Sequence, residues 1–151
     1  MPVERVVSGG QTGVDRAALD VARELGIAIG GWCPQGRQAE DGPIDCAYPL
    51  AETPQASYAQ RTEWNVRDSD ATLVLTQGEV SGGTAQTIAC ATRLGKPLLV
   101  LDVADPDGIA TARSWLGANQ VQVVNVAGPR ESKSPGIYAL ARTFLRSVLA
   151  S

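Results

Sequence analysis

Glycine and hydroxyl residues that follow apolar runs are the first candidates for chemistry, because they can bind an anion. In the segment SGGQTGVDRAALD, Gly9, Gly10 and Gly13 stand between an apolar run and a helical pattern, together with Gln11 and Thr12. A strand that passes through glycines into a helix aims backbone N–H groups and the helix N-terminus at an anion. The segment contains neither a Gly-x-Gly-x-x-Gly dinucleotide fingerprint nor a Walker lysine. It therefore predicts a phosphate-type site, and a tight turn without a ligand is the alternative.

A second glycine-rich segment, QGEVSGGTAQT, places Ser81, Gly82, Gly83 and Thr84 between another apolar run and a helical pattern. Ligands of open parallel sheets bind beyond the carboxyl ends of the strands, where the winding of the chain reverses. The flavodoxin-like strand order 2-1-3-4-5 would place the two glycine-rich ends side by side at that point. We therefore expect both segments to hold one small anionic ligand.

A third segment, NVAGPRESKSPG, supplies Asn125, Arg130, Ser132 and Ser134 just before the last helical pattern. The Arg130 guanidinium can pair with a phosphate or carboxylate through two parallel hydrogen bonds. A solvated surface arginine would have the same sequence. We expect this segment to add a cation and hydroxyl groups to the shared site.

The composition narrows the possible chemistry. The chain has no histidine, so acid–base catalysis near neutral pH would depend on carboxylates, Arg, Lys or hydroxyl groups. Its three cysteines lack the spacing of a zinc site or of a disulfide framework. Thirteen basic against sixteen acidic residues give a net charge of -3, which argues against nucleic acid as a partner. No apolar stretch approaches the ~20 residues of a membrane span, and the first residues do not resemble a secretory signal, so we expect a soluble cytoplasmic protein.

Alternating strands and helices must position these residues. Five β-rich segments bounded by Gly, Pro, Asn or Asp are predicted to be strands, at residues 5–8, 27–30, 71–76, 98–103 and 121–126. Helical patterns are found at residues 14–25, 58–68, 84–94, from 105 onward and from 135 onward. Gly26 is predicted to end the first helix, and Ser134 to cap the last one before Pro135. This alternation predicts one Rossmann-like α/β domain over residues 1–151, with an open, mainly parallel sheet and helices on both faces.

Residues 32–57 do not follow this alternation. They contain four prolines and no sustained periodicity, and loops of this length in compact domains are usually functional or disordered. We expect the loop to fold over the site, and a variable surface connection is the alternative. Arg37, Glu40 and Asp41 could then close over a ligand, the arginine at an oxyanion and the carboxylates at ring N–H groups. Solvated loop charges are equally compatible with the sequence.

Taken together, SGGQTGVDRAALD, GGWCPQGRQAEDGPI, YAQRTEWNVRDSD, SGGTA and NVAGPRES resemble the molybdenum carrier family, which is similar to the molybdenum-cofactor carrier protein of algae. The resemblance covers most of the chain. It implies a Rossmann-like fold, a homo-oligomer, and binding of molybdenum cofactor (molybdopterin), a pterin with a dithiolene and a phosphate. A molybdoenzyme acceptor would be the partner of such a carrier. The residues expected to bind the ligand are Gly9, Gly10, Gln11, Thr12, Gly13, Arg37, Arg61, Ser81, Gly82, Gly83, Thr84, Asn125, Gly128, Arg130 and Ser132.

The segment RTEWNVRDSDATLVLTQGEVSGGTAQT also resembles the lysine-decarboxylase-like phosphoribohydrolases of the wider superfamily, with Arg61 at the position of their arginine. Where their motif has its catalytic glutamate, this chain has Ala89. We therefore expect a carrier that binds without turnover. A nucleoside-monophosphate phosphoribohydrolase-like enzyme and a nucleotide-sensing module remain alternatives, with a nucleotide as ligand. The enzyme would need another carboxylate, and the candidates are Asp15, Glu40, Asp41, Glu63 and Glu79.

Overall fold

A computed structural model describes residues 2–80 and 82–150 of the protein. Its elements, in chain order, are β1 (Arg5–Val7), α1 (Val14–Glu24), β2 (Ala28–Gly30), β3 (Trp32–Cys33), β4 (Gln38–Ala39), β5 (Gly42–Pro43), β6 (Ala51–Glu52), α2 (Tyr58–Arg67), β7 (Ala71–Thr76), α3 (Gly82–Leu94), β8 (Leu98–Asp102), α4 (Gly108–Ala118), β9 (Val123–Ala127) and α5 (Ile137–Leu149). The five predicted strands and the five predicted helices are all present. Gly26 follows α1 with a φ of 75°, as predicted for a helix-ending glycine.

The last strand, β9, occupies the centre of a parallel five-stranded sheet with the order β2-β1-β9-β7-β8. Val124 of β9 lies opposite Val6 of β1 on one side and opposite Ala71 of β7 on the other. The predicted order 2-1-3-4-5 is therefore wrong, because β9 separates the first glycine-rich strand from the other. Val124 and Val126 are each 1% exposed, and such burial on both faces suits the interior of a parallel sheet.

Helices cover both faces of this sheet, which confirms the Rossmann-like α/β class. On one face, Val14 of α1, Leu116 of α4 and Phe144 of α5 share one buried cluster with the strands. On the other face, Val66 of α2 packs with Ala91 of α3. Complete burial of a side chain such as valine or leucine stabilises a fold by about 1.5–3 kcal/mol. No helix within residues 2–80 and 82–150 has the length and apolar character that a bilayer span requires.

Helix α5 begins later than predicted because a glutamate side chain takes the capping role. Gly136, with a φ of 90°, is the N-cap residue, so Ser134 and Pro135 lie outside the helix. The Glu131 carboxylate accepts hydrogen bonds from the N–H groups of Gly136 (2.6 Å) and Tyr138 (3.0 Å). Two backbone donors at this end of the helix are thereby satisfied.

The segment from residue 32 to residue 57 contains short regular pieces that its sequence did not predict. β3 pairs with β6, and β4 forms a small hairpin with β5. Cys33, Ile44 and Leu50 form a buried cluster with Leu19 of α1. The segment is therefore packed onto the body of the fold by a small core of its own.

Candidate anion-binding cleft

A cleft of about 430 Å³ opens beyond the carboxyl ends of β1, β9 and β7. This volume lies within the range of small-molecule sites. Gly9 follows β1, Thr76 ends β7, and Gly128 follows β9, so three strands contribute to its floor. The N-terminus of α3, at Gly82 and Gly83, forms part of the wall. The cleft is thus at the position where open α/β sheets bind their ligands.

The structure brings most of the predicted site residues together, although β9 lies between the two glycine-rich strand ends. The first and second glycine-rich segments both line this cleft, and the third segment joins them from β9. Ser81 lies outside the described residues. The predicted residues that line the cleft are Gly9, Gln11, Arg61, Gly82, Gly83, Thr84, Asn125, Gly128 and Arg130.

Gly10 and Gly13 are used for close packing and do not line the cleft. A Cβ on Gly10, which has a φ of 76°, would lie 2.6 Å from Leu50 Cδ1. A Cβ on Gly13 would lie 2.4 Å from the Pro129 carbonyl oxygen. The first N–H of α1, on Val14, donates to that same oxygen at 3.3 Å. At the N-terminus of α1, the chain itself therefore supplies the acceptor for the first helical N–H group.

Arg37, which was predicted to bind an oxyanion, is used inside the segment 32–57. Its guanidinium donates hydrogen bonds of 2.8–3.1 Å to four backbone carbonyl oxygens. The acceptors are the carbonyls of Ile44, Asp45, Tyr48 and Leu50. Arg37 is absent from the described lining of the cleft. The physical reason is that carbonyl oxygens left over by an irregular loop require donors, and an arginine fork supplies several at once.

The two carboxylates expected to close over a ligand are also occupied elsewhere. Asp41 pairs with Arg16 of α1 at 3.0 Å. Glu40 accepts hydrogen bonds from the hydroxyl groups of Thr12 and Ser132. Neither carboxylate, nor Thr12 or Ser132, belongs to the described lining of the cleft. These contacts attach the segment 32–57 to α1 and to the loops that follow β1 and β9, beside the cleft.

Gly9 allows Arg61 to reach the cleft. A Cβ on Gly9 would lie 2.1 Å from Arg61 Nη1, so the guanidinium would have to move if Gly9 carried a side chain. Arg61 Nη1 donates to the Gly9 carbonyl oxygen at 3.1 Å, and its guanidinium carbon lies 5.0 Å from the Tyr58 ring centre. The Arg61 side chain is 12% exposed. The sequence predicted Arg61 but not its dependence on Gly9.

Asp15 is a buried carboxyl on the wall of the same cleft. Its side chain is 9% exposed, and its Oδ2 lies 3.6 Å from Arg61 Nη1. Oδ2 also accepts a hydrogen bond from the Gln11 N–H at 3.3 Å. Burial raises the pKa of Asp15 to about 6, although the Arg61 charge acts in the opposite direction. The carboxyl can therefore gain or lose a proton near neutral pH.

Lys133 is a cleft residue that the sequence analysis did not single out. A Cβ on Gly82 would lie 3.9 Å from Lys133 Nζ, so the ammonium group lies close to the N-terminus of α3. A helix N-terminus carries a partial positive charge, and a nearby cation adds to it. The sequence does offer one indication of this role, because Lys133 lies only three residues after Arg130 in the third segment. Lys133 therefore adds its positive charge to that of the helix end, and Arg130 lines the same cleft.

Two buried polar side chains, Asn65 and Asn125, also line the cleft. Asn65 is 3% exposed and bridges the backbone of Trp32, accepting from its N–H at 2.8 Å and donating to its carbonyl at 2.9 Å. Asn125 of β9 is also 3% exposed and donates to the Thr72 hydroxyl at 3.3 Å.

Across residues 2–80 and 82–150, no group of three or more Cys, Asp or Glu side chains is arranged to hold a metal ion.

A Rossmann-like fold with a cleft beyond the carboxyl ends of its strands places the protein in the class of open α/β folds whose ligands bind at that position. The chain belongs to the circularly permutated YpsA SLOG family, whose sequence model matches residues 6–149. It is similar to the crystal structure of the "putative molybdenum carrier protein" of Syntrophus aciditrophicus SB, with 43% identity and a TM-score of 0.93. The similarity covers 98% of this chain and 96% of that one, which confirms the resemblance inferred from the motifs. No curated protein matches the chain.

Proposed function

We propose that this protein binds and carries molybdenum cofactor, with the phosphate of the ligand at the N-terminus of α3. The observation that carries the proposal is the position of the Lys133 ammonium beside Gly82 at that helix end. Phosphate groups bind at helix N-termini because open N–H groups and the helix dipole both favour negative charge. The name of the Syntrophus protein, a molybdenum carrier, supports a ligand that contains molybdenum.

The remainder of the ligand would lie toward Tyr58 and Arg61. Tyr58 is 40% exposed and lines the cleft, so its ring could offer an aromatic face to a pterin. The Arg61 guanidinium packs near that ring and supplies N–H donors to ligand oxygens. A homo-oligomer and a molybdoenzyme acceptor form part of this proposal, as does a cytoplasmic location.

The test uses the two lysines of the chain, Lys96 and Lys133. Lys133→Ala removes the ammonium from the cleft, whereas Lys96→Ala removes one that donates to the carbonyls of Arg67 and Ser69 at the end of α2. Protein purified gently from cells that make the cofactor is analysed by native mass spectrometry for bound pterin. We expect pterin on the parent and on the Lys96 variant, and a clear loss on the Lys133 variant. Equal occupancy in all three proteins, or none in the parent, would contradict the proposal.

The buried carboxyl of Asp15 favours a second candidate function, an N-glycosidase acting on nucleoside monophosphates. Ionised Asp15 would take a proton from a water molecule that attacks C1′ as the C1′–N bond breaks. The products would be ribose phosphate and the free base, protonated from solvent. A pKa near 6 suits a general base at neutral pH.

Incubation with nucleoside monophosphates, followed by chromatography of released base, distinguishes the two functions. The carrier releases no base. The enzyme releases base at a rate that rises as the pH passes through about 6, and Asp15→Asn abolishes that release. Base release that survives in Asp15→Asn would exclude Asp15 as the base.

A further inference from the structure

The carboxylate of Glu40 occupies a set of donors beside the cleft. Thr12 and Ser132 each donate a hydroxyl hydrogen bond to it. The Ser132 N–H donates to Glu40 Oε2 at 3.1 Å. Arg130 Nε lies 4.0 Å from Oε1. Thr12, Arg130 and Ser132 are three of the residues that the sequence predicted to bind a ligand oxyanion, and the oxyanion that Thr12 and Ser132 bind here is a side chain of the same protein.

Glu40 is held there as an ionised group. Its side chain is 20% exposed. Partial desolvation opposes ionisation, but the hydrogen bonds from Ser132 and Thr12 outweigh it and lower the pKa of Glu40. The distance to Arg130 is too long for a hydrogen bond, so Glu40 leaves the guanidinium fork unfilled. A larger oxyanion could use the same donors and reach Arg130 as well.

The donor set is contiguous with the cleft through two residues. Gln11 and Arg130 both line the cleft. The Glu40 N–H donates to Gln11 Oε1 at 2.9 Å, so the turn between β4 and β5 touches the cleft wall. That turn is attached on its other side by Asp41, which pairs with Arg16. Two acidic residues therefore fasten one small hairpin, and only Glu40 fills the donor set.

We propose that Thr12, Arg130 and Ser132 form a second anion subsite of the cleft. In this structure the Glu40 carboxylate occupies that subsite. A second anionic group of the ligand takes the place of the Glu40 carboxylate and releases the β4–β5 turn. The inference rests on the proposed function in one respect, since the first anionic group of the ligand lies at the N-terminus of α3. It assigns the ligand to the class that carries two separate anionic groups.

Glu40→Ala and Asp41→Ala provide a matched pair of variants. Each removes one negative charge from the same turn, but only Glu40→Ala empties the donor set. Binding of inorganic pyrophosphate is measured by calorimetry at constant ionic strength. Because charge-assisted hydrogen bonds to phosphate are strong, we expect Glu40→Ala to bind pyrophosphate on the order of tenfold more tightly than the parent and Asp41→Ala. Adding Ser132→Ala to Glu40→Ala should abolish this gain.

Equal affinities in Glu40→Ala and Asp41→Ala would overturn the subsite, because the gain would then come from net charge alone. Thermal melting first establishes that each variant is folded. Glu40→Gln, which keeps the size of the side chain, serves if Glu40→Ala does not fold, and we expect an intermediate gain from it. Lys133→Ala separates this inference from the proposed function. Weak binding by Lys133→Ala with no difference between the acidic variants would leave the α3 site standing and remove only the second subsite.

Discussion

Around the cleft, neighbouring glycines have different physical roles. Gly9 leaves room for the Arg61 side chain, and Gly10 leaves room for Leu50. Gly83, by contrast, has no atom within 4 Å of the position where a Cβ would lie. The same residue type therefore allows close packing at the end of β1 and open access at the start of α3. A glycine-rich pattern predicts both roles equally well.

Gly83→Val should weaken ligand binding without lowering stability. The new side chain would enter open space at the wall of the cleft and block approach to the N-terminus of α3. Gly117→Val is the matched control, since Gly117 is also helical and also has open space around it. Valine has a slightly better helix propensity than glycine, so neither variant should unfold more readily. Calorimetry with inorganic phosphate and thermal melting check this, and equal phosphate affinity in both variants would exclude Gly83 from the site.

Asp15→Asn should change the pH dependence of stability in a defined direction. The folded protein holds a proton on Asp15 more tightly than the unfolded chain does, because burial raises the pKa from 3.8 to about 6. The stabilising contribution of the protonated carboxyl is fully present below the unfolded-state pKa of 3.8. It is lost as the pH rises through the folded-state pKa of about 6. Between pH 3.8 and about pH 6, the free energy of unfolding of the parent should therefore fall relative to that of Asp15→Asn. The expected fall is about 1.4 kcal/mol or less per pH unit. Urea unfolding at about pH 4 and about pH 7 measures the difference. A constant difference would show that Asp15 is not desolvated.

At the scale of elements, the segment from residue 32 to residue 57 shows the largest gap between sequence and structure. Its regular pieces are only two residues long, too short to produce a hydrophobic period. Its order comes from the Arg37 guanidinium, which holds four carbonyl oxygens, and from the contact of Leu50 with Gly10. The segment, which the sequence predicted to be an irregular loop, is therefore packed against the body of the fold.

Arg37→Lys should loosen this segment while keeping its charge. A lysine ammonium cannot match the fork that reaches four carbonyl groups, and three partly buried carbonyls would lose their donor. We expect the free energy of unfolding to fall by about 2 kcal/mol. Trypsin should also cleave the variant faster within this segment. Arg67→Lys is the control, since Arg67 lies on the surface and pairs with its neighbour Asp68. Equal losses in both variants would contradict a special role for Arg37.

At the scale of the whole molecule, the last strand fills the centre of the sheet. α5 runs back from the carboxyl end of β9 and packs against α1 in the main core. It therefore ends at the edge of the sheet where β1 begins.

A permuted chain should consequently fold. We join Ala150 to Pro2 with a short flexible linker and open the chain between Asn119 and Gln120, so that β9 comes first. All strand pairings are kept, and closing a short loop has a small entropic cost, so the free energy of unfolding should stay within about 2 kcal/mol of the parent. Denaturant unfolding and circular dichroism provide the measurement. A chain opened inside β9, between Asn125 and Val126, is the control and should not fold. If the first permutant also failed to fold, the central position of β9 would be in doubt.

Local sequence determined the strands, the helices and the positions of the glycine-rich turns. The β-rich run at residues 71–76 coincides with β7, whose six residues are all buried, as suits the interior of a parallel sheet. Gly26 ends α1 because a left-handed residue suits that position. The motifs also identified the family, since several ordered segments rarely coincide by chance.

Only the tertiary structure decided which residues meet. Glu40 and Ser132 are 92 positions apart, and Arg61 lies 52 positions from Gly9. The pairing of β9 between β1 and β7 likewise joins distant segments. The hydrophobic periodicity of a sequence shows which side of a helix or strand is buried. The contacts between distant residues depend instead on which strands pair in the sheet and on which charged groups are buried together. The same reason applies to Asp15, whose raised pKa follows from a burial that exists only in the assembled cleft.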